Sequence, residues 1–204
     1  MDVTVGVLAL QGAFSAHERS LSRLGVATRQ VRLPRDLAEV DALVMPGGES
    51  TTMSQLLDSS GLFGAISSRI SDGMHVLGTC AGVILLASKI LDGRPDQHSF
   101  GALPITVRRN GYGRQIDSFE ADVAVTGLDS PFTAVFIRAP IIEEISADVI
   151  SADVEVLASH GGRPVAVAVG SVMGATFHPE LTDDPRFHGV FVDRVRSQSS
   201  ITRR

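Results

Sequence analysis

Three short segments of the sequence carry the residue types that a hydrolase needs. The first is Gly78-Thr79-Cys80-Ala81-Gly82, which lies between an apolar segment and a segment with a helical pattern. It is a Gly-x-nucleophile-x-Gly elbow with cysteine as the nucleophile, and so tight a strand-to-helix turn has room only for glycine or a similarly small residue on either side. The N-terminus of the following helix favours a thiolate, and its N–H groups, starting with that of Ala81, can bind an oxyanion. The turn predicts Cys80 as a nucleophile, although a lone cysteine is more often a small buried hydrophobe.

The second segment, His178-Pro179-Glu180, could provide the general base. Of the six histidines, only His178 follows an apolar strand and has a carboxylate two residues later. Pro179 disfavours helix at His178, and in extended chain residues i and i+2 point to the same side. Glu180 is therefore predicted to hold the imidazole in one tautomer, with its other nitrogen towards Cys80. The alternative is an ordinary surface histidine at the end of a strand.

The third segment, Pro46-Gly47-Gly48-Glu49-Ser50, also lies between a strand and a helix. Its glycines permit a loop whose backbone N–H groups face a ligand oxygen, which could provide a second oxyanion donor. The alternative is a plain turn in which Ser50 caps the helix. Two arginines at strand ends, Arg109 and Arg138, could each hold the carboxylate of an amino-acid substrate, with surface ion pairs as the alternative.

These residues require elements that bring them to one edge of a sheet. In the first half of the chain, apolar strands alternate with helical patterns, which predicts right-handed crossovers and a parallel sheet. Strands are predicted at Val3–Leu10, Val26–Leu33, Ala42–Met45 and His75–Gly78, and helices at Ala13–Leu24, Thr51–Leu57, Leu62–Ile70 and Ala81–Ala87.

The second half is richer in strands, with hairpin breaks at Gly127–Pro131 and Gly161–Pro164 and a closing helix at Phe187–Val195. Strands are predicted at Ile105–Arg108, Phe119–Val125, Ala134–Ile137, Glu155–Ser159, Val165–Val169 and Met173–Phe177. The prediction is an α/β fold of three layers, in which helices flank a central mixed, mostly parallel sheet. We expect a single domain over residues 1–196 and a flexible tail over residues 197–204.

Composition excludes several classes of protein. A chain of 204 residues with 44% hydrophobic residues can bury a sizeable core. The net charge of −5 argues against nucleic acid as the main partner. One cysteine can form neither an internal disulfide nor a multi-cysteine zinc or iron–sulfur site, and a reducing compartment, the cytoplasm, is expected. No metal or cofactor is predicted. No signal peptide or membrane-spanning segment is recognisable.

Taken together, the three segments resemble the class I (triad) glutamine amidotransferases. The resemblance narrows to the glutaminase subunits of pyridoxal 5′-phosphate synthase, the PdxT/Sno family, and covers the chain from about Val3 to Val195. It rests on Leu8-Ala9-Leu10-Gln11-Gly12-Ala13, Gly47-Gly48-Glu49-Ser50-Thr51-Thr52-Met53, Gly113-Arg114-Gln115-Ile116-Asp117-Ser118-Phe119-Glu120 and Phe136-Ile137-Arg138-Ala139-Pro140.

The resemblance implies a flavodoxin-like class I glutaminase fold and a role for each matching residue. Cys80 would be the nucleophile, His178 the general base and acid, and Glu180 the residue that orients it. Gly48 and Ala81 would form the oxyanion hole. The positions that match the glutamine-binding residues are Gly48, Glu49, Ser50, Arg109, Ile137 and Arg138.

The implied reaction is hydrolysis of L-glutamine to glutamate and ammonia through a γ-glutamyl thioester. The ammonia would pass to a separate (β/α)8-barrel synthase subunit, which builds the vitamin B6 ring, in a complex of twelve copies of each subunit. Two alternatives remain open. One is the glutaminase of another amidotransferase, such as imidazole glycerol phosphate synthase. The other is a non-catalytic subunit that binds glutamine.

Overall fold

The near-continuous apolar segments form the centre of a parallel sheet. The computed structural model describes residues 3–109, 111, 118–146 and 154–201. Its strands are β1 Thr4–Leu8, β2 Ala27–Val31, β3 Ala42–Met45, β4 His75–Thr79, β5 Ala87–Ile90, β6 Leu103–Arg108, β7 Phe119–Val123, β8 Phe132–Phe136, β9 Ile141–Ile145, β10 Glu155–His160, β11 Arg163–Val169 and β12 Val172–Ala175. Its helices are α1 Phe14–Arg23, α2 Pro34–Leu37, α3 Ser50–Ser59, α4 Leu62–Ser71, α5 Ala81–Leu86 and α6 Arg186–Ile201.

The central sheet has seven strands in the order β10-β11-β12-β4-β3-β1-β2. Strands β2, β1, β3, β4 and β12 are parallel, whereas β11 runs antiparallel to both of its neighbours. The predicted mixed, mostly parallel sheet is therefore confirmed. Because β1, β3, β4 and β12 are adjacent and parallel, the segments that follow them converge at one edge, where α/β proteins bind ligands.

Of the strands predicted in the second half, only β10, β11 and β12 belong to the central sheet. Strands β5, β6 and β9 form a separate three-stranded sheet, and β7 and β8 form a two-stranded hairpin, so they do not extend the central sheet. Sequence patterns identify strands but not their partners, because pairing depends on contacts that are distant in the chain. The predicted breaks at Gly127–Pro131 and Gly161–Pro164 do join antiparallel pairs, β7 with β8 and β10 with β11.

The buried side chains form two clusters, one on each face of the central sheet. Val5 and Val7 point into a cluster with α1, α6, β7 and β8, whereas Leu8 and Leu43 point into a cluster with α3, α4 and α5. Successive strand residues alternate between the faces, so a continuous apolar strand supplies both clusters. This gives the three layers that the sequence predicts.

The last helix, α6, extends beyond its predicted end. We expected a flexible tail from residue 197, but the backbone of residues 197–201 continues the helix, since no glycine or proline interrupts residues 190–201. Residues 202–204 lie outside the described residues, and a tail there stays a prediction. Among the described residues, no helix is both long and apolar enough to cross a membrane.

Candidate active site

Cys80 lies at the sharp turn between β4 and α5. Its φ of 49° is in the left-handed region that side chains seldom adopt, and its backbone N–H donates to the Ala175 carbonyl at 2.8 Å. A Cβ on Gly78 would lie 2.7 Å from the backbone of Gly82, and one on Gly82 would lie 2.2 Å from the Met45 carbonyl oxygen. The turn therefore has the steric restriction on both glycines that the sequence predicts, with the thiol at the start of a helix.

His178 and Glu180 come from the segment after β12, the neighbour of β4. The backbone N–H of His178 donates to the Val135 carbonyl at 2.8 Å, which fixes the residue between two sheets. Its ring contacts the Cys80 thiol, and its Nδ1 lies 2.7 Å from Glu180 Oε1. The structure thus brings the three predicted residues together. The Glu180 side chain is fully buried behind the imidazole.

The local backbone around Glu180 differs from the prediction. His178 is non-helical, as expected before proline, but Pro179–Leu181 forms a 3-10 turn and not an extended segment. Proline at the first helical position has a suitable fixed φ and loses no hydrogen bond there. The Glu180 carboxylate consequently reaches Nδ1 of His178 from this 3-10 turn.

Opposite charges dominate the electrostatics of this trio. Burial alone would lower the pKa of His178, but its hydrogen bonds to Cys80 and Glu180 and their negative charges raise that pKa to about 10. Burial would raise the pKa of Glu180, but the hydrogen bond from His178 and the neighbouring histidines lower it. At neutral pH the structure therefore favours a charged imidazolium paired with the Glu180 carboxylate.

A cavity of about 250 Å³ opens in front of Cys80. Its lining includes the predicted residues Gly48, Glu49, Ser50, Cys80, Arg109, Ile137, Arg138 and His178, together with Ile84. Two predicted residues are not in the lining. Glu180 lies behind His178, and Ala81, only 1% exposed, is the first residue of α5. The first N–H groups of a helix have no partner within that helix, so the Ala81 N–H remains available to a ligand.

The loop after β3 forms one wall of the cavity through close backbone packing. A Cβ on Gly47 would lie 2.4 Å from Cε1 of His178, so the imidazole packs directly on this backbone. The Glu49 N–H donates to Gln11 Oε1 at 3.1 Å. Glu49, and not Ser50, caps α3, because its carboxylate accepts from the Thr52 N–H at 2.7 Å. The Ser50 hydroxyl is buried without a hydrogen-bond partner among the described residues, so a ligand could use it.

The two predicted arginines differ in their surroundings. Arg109 donates to Glu49 Oε1 at 2.7 Å and to Thr51 Oγ1 at 3.0 Å, so its ion pair lies inside the site. Arg138, with a φ of 47°, follows β8 and makes no ion pair within the described residues. Its neighbour Ile137 is 38% exposed and places its carbonyl oxygen 4.0 Å from Cys80 Sγ. Of the two arginines, Arg138 is therefore the one whose charge is available to pair with a substrate carboxylate.

Three residues at the site are not among the predicted ones, namely Gln11, Ile84 and Gln97. Gln11 follows β1 at the same edge as the loops after β3 and β4, so the order of a parallel sheet could have indicated it. Gln97 accepts from Arg109 Nη1 at 3.1 Å, from a loop that no pattern placed near the site. Residues 113–117 of the motif quoted above lie outside the described residues.

Comparison with known proteins adds an independent finding. Residues 7–197 match the model of the SNO glutamine amidotransferase family. The chain is 52% identical over 197 residues to pyridoxal 5′-phosphate synthase subunit PdxT of Mycobacteroides abscessus, covering 97% of this chain and 100% of the relative. It is 50% identical over 194 residues to the subunit of the same name of Salinispora arenicola, covering 95% and 96%. A crystal structure of a glutamine amidotransferase, 45% identical, superposes with a TM-score of 0.86 over 94% of this chain and 98% of that one.

Proposed function

Since the chain belongs to the SNO glutamine amidotransferase family, we propose that Cys80, His178 and Glu180 hydrolyse L-glutamine in the cavity described above. The protein is the glutaminase subunit of a pyridoxal 5′-phosphate synthase, and it supplies ammonia from L-glutamine for vitamin B6 biosynthesis. The residue roles rest on one observation above all. A cysteine at a strained strand-to-helix turn contacts a histidine whose other nitrogen lies 2.7 Å from a buried carboxylate.

In the first step the Cys80 thiolate attacks the carboxamide carbon of glutamine. The carbonyl oxygen becomes an oxyanion, which the N–H groups of Gly48 and Ala81 stabilise. His178 then donates a proton to the departing nitrogen, so the C–N bond breaks, ammonia leaves and a γ-glutamyl thioester remains. The raised pKa of His178, about 10, keeps that proton available at neutral pH.

In the second step water replaces ammonia. His178, now neutral, takes a proton from water as it attacks the thioester carbon, and the C–S bond breaks to release glutamate and restore the thiolate. Glu180 stabilises the imidazolium and holds the imidazole in the required tautomer throughout. No metal or cofactor is needed for either step.

Substrate orientation depends on the charged residues that line the cavity. Arg138, Arg109 and Glu49 are among them, and glutamine has both an α-carboxylate and an α-ammonium group. We assign the carboxylate to the arginines and the ammonium group to Glu49, whose pKa its partners lower to about 2 although burial opposes this. The apolar stem of glutamine then lies along Ile137 and Ile84.

The proposed partner is the barrel-shaped synthase subunit, in a complex of twelve copies of each chain. The relatives carry the word subunit in their names, and the resemblance of the sequence motifs to that family supports the composition. A glutaminase for another synthase, such as imidazole glycerol phosphate synthase, is the alternative. Because the single thiol must remain reduced, we also propose a reducing compartment, the cytoplasm.

The test is ammonia release from L-glutamine with and without the pyridoxal 5′-phosphate synthase subunit of the same organism. Cys80→Ala and His178→Asn should each lower kcat by several orders of magnitude in the complex. Ser59→Ala, at an exposed helix end away from the cavity, is the control and should retain full activity. Substantial turnover by purified Cys80→Ala would refute the proposed nucleophile. Stimulation by an imidazole glycerol phosphate synthase subunit in place of the expected partner would favour the alternative.

A further inference from the structure

Two histidines that the proposed reaction does not use lie behind Glu180. His17 is on α1 and His188 is on α6, and both are fully buried. A buried imidazole is seldom retained without polar partners, since burial of an unpaired polar group is costly. The contacts of these two rings lead directly to the catalytic carboxylate.

His17 lies between Glu180 and His188 and contacts both. Its Nε2 lies 3.4 Å from Glu180 Oε2 and 3.3 Å from Thr79 Oγ1, and its Nδ1 lies 2.9 Å from His188 Nε2. Glu180 therefore has His178 at one oxygen and His17 at the other. Oε2 accepts no hydrogen bond of good geometry from the described residues, so His17 Nε2 is positioned to provide the missing donor after a small rotation.

The charge state of both rings follows from burial. Burial lowers the pKa of His17, outweighing the charge of Glu180, and it lowers the pKa of His188 to about 3. Both rings are therefore neutral at physiological pH, and each has one N–H donor and one bare nitrogen.

The arrangement of atoms favours one tautomer. A bare Nε2 on His17 would set its lone pair against the Glu180 carboxylate, whereas a protonated Nε2 faces two acceptors. Nδ1 of His17 is then bare and must accept from His188, so His188 carries its proton on Nε2. This leaves Nδ1 of His188, which has no partner among the described residues, as a bare acceptor and not as a buried unpaired N–H.

We propose that His17 is a positioning residue for glutamine hydrolysis. It holds Glu180 by directing its Nε2–H at Oε2, and His188 fixes that tautomer by donating to Nδ1. Glu180 is thereby kept with Oε1 towards His178, and the N–H groups of His178 and His17 are directed towards the same carboxylate. The inference rests on the triad proposed above and concerns residues that touch neither the substrate nor Cys80.

The direct test is the side-chain nitrogen NMR spectrum of the full chain labelled with ¹⁵N-histidine, since the two nitrogen shifts identify the tautomer. We expect neutral Nε2–H forms for His17 and His188 across the pH range in which the protein is folded. An Nδ1–H form of His17, or a cationic His17, would overturn the proposal. This readout does not depend on turnover, so it fails or succeeds separately from the assignment of the nucleophile.

The kinetic test compares two substitutions of His17 in the complex with the synthase subunit. His17→Met removes the donor, and kcat should fall roughly ten- to hundredfold, the usual value of a hydrogen bond to a charged group, while KM for glutamine is unchanged. His17→Gln places an amide N–H near the same oxygen and should restore most of kcat. Ser20→Ala, also buried on α1, is the control. Unchanged kcat in His17→Met, or equal losses in both His17 variants, would contradict the positioning role.

Discussion

Among the single residues, His178 and Glu180 have pKa shifts of opposite sign, and each shift depends on the other residue. Each would be neutral if buried alone, yet burial together keeps both charged, because Nδ1 and Oε1 are 2.7 Å apart. The pKa of His178 is raised to about 10 and that of Glu180 is lowered. The pair should therefore remain ionised over the whole physiological range.

Glu180→Gln tests this dependence. The removal of the negative partner disfavours the imidazolium, so the pKa of His178 should fall from about 10 towards its ordinary value of 6.5. The measurement is an NMR titration of the His178 ring, and kcat in the complex should drop by roughly a thousandfold or more. Glu39→Gln, an exposed carboxylate, should change neither quantity. An unshifted His178 titration in Glu180→Gln would show that another group stabilises the imidazolium.

Arg138 allows a second prediction about a single side chain. Arg138 lines the cavity and has no ion pair within the described residues, whereas Arg109 is already paired with Glu49. Arg138→Met should raise KM for glutamine about tenfold or more with a smaller effect on kcat, because a charge-assisted hydrogen bond to the carboxylate is lost. Arg35→Met, an exposed arginine on α2, is the control. A fall in kcat at constant KM would place Arg138 in the chemical step.

At the scale of elements, the turn between β4 and α5 depends on glycines that have no space for a side chain. Gly82→Ala would bring a methyl group to 2.2 Å from the Met45 carbonyl oxygen, so the helix or β3 must shift. The free energy of unfolding should decrease by about 2–3 kcal/mol, and the displaced thiol should lose activity. Denaturant unfolding followed by circular dichroism measures the change.

Gly64 is the matched control for this prediction. It lies on α4 with nothing within 4 Å of its added Cβ, so Gly64→Ala should stabilise the protein by about 0.5–1 kcal/mol and leave activity intact. Equal stability of Gly82→Ala and Gly64→Ala would contradict the idea that close packing at the elbow excludes a side chain at Gly82.

Some strands could be predicted from the sequence and others could not. The strands before the three site segments are short apolar runs, two of which end beside Pro46 or at Gly78, and so they could be located. Strand β9 was missed because acidic residues are depleted in strands. Here Glu143 is paired with Arg108 at 2.7 Å on the neighbouring β6, a contact between residues 35 positions apart that local patterns cannot contain.

Strand β5 was missed for a different reason. It begins at Ala87, directly after the last residue of α5, without a glycine or proline to mark the change. The buried contacts of His17 and Gln11 were missed because their partners come from other elements. Sequence patterns located Cys80, His178 and Glu180, which the structure brings together, whereas the residues that contact them could be identified only from the tertiary structure.

At the scale of the whole molecule, the site depends on elements from both ends of the described chain. Helices α1 and α6 contact each other on one face of the sheet and carry the two histidines behind Glu180, while α3 and α5 pack on the other face and each contribute one residue to the cavity lining. We propose on this basis that residues 1–196 fold as one domain. The chain acts as the glutaminase subunit of a pyridoxal 5′-phosphate synthase.

Assembly with the synthase subunit should not depend on the chemistry of the triad. Cys80 is 7% exposed inside the cavity, so Cys80→Ala removes the proposed nucleophile without altering the outer surface. We expect this variant and the parent chain of 21.6 kDa to form complexes of the same mass with the synthase subunit, twelve copies of each, as measured by light scattering after size-exclusion chromatography. Only the parent complex should make pyridoxal 5′-phosphate from glutamine, and added ammonium salt should restore synthesis with the Cys80→Ala complex. A different mass would refute the proposed composition, and failure of ammonium to restore synthesis would refute ammonia supply as the only contribution of this chain to the reaction.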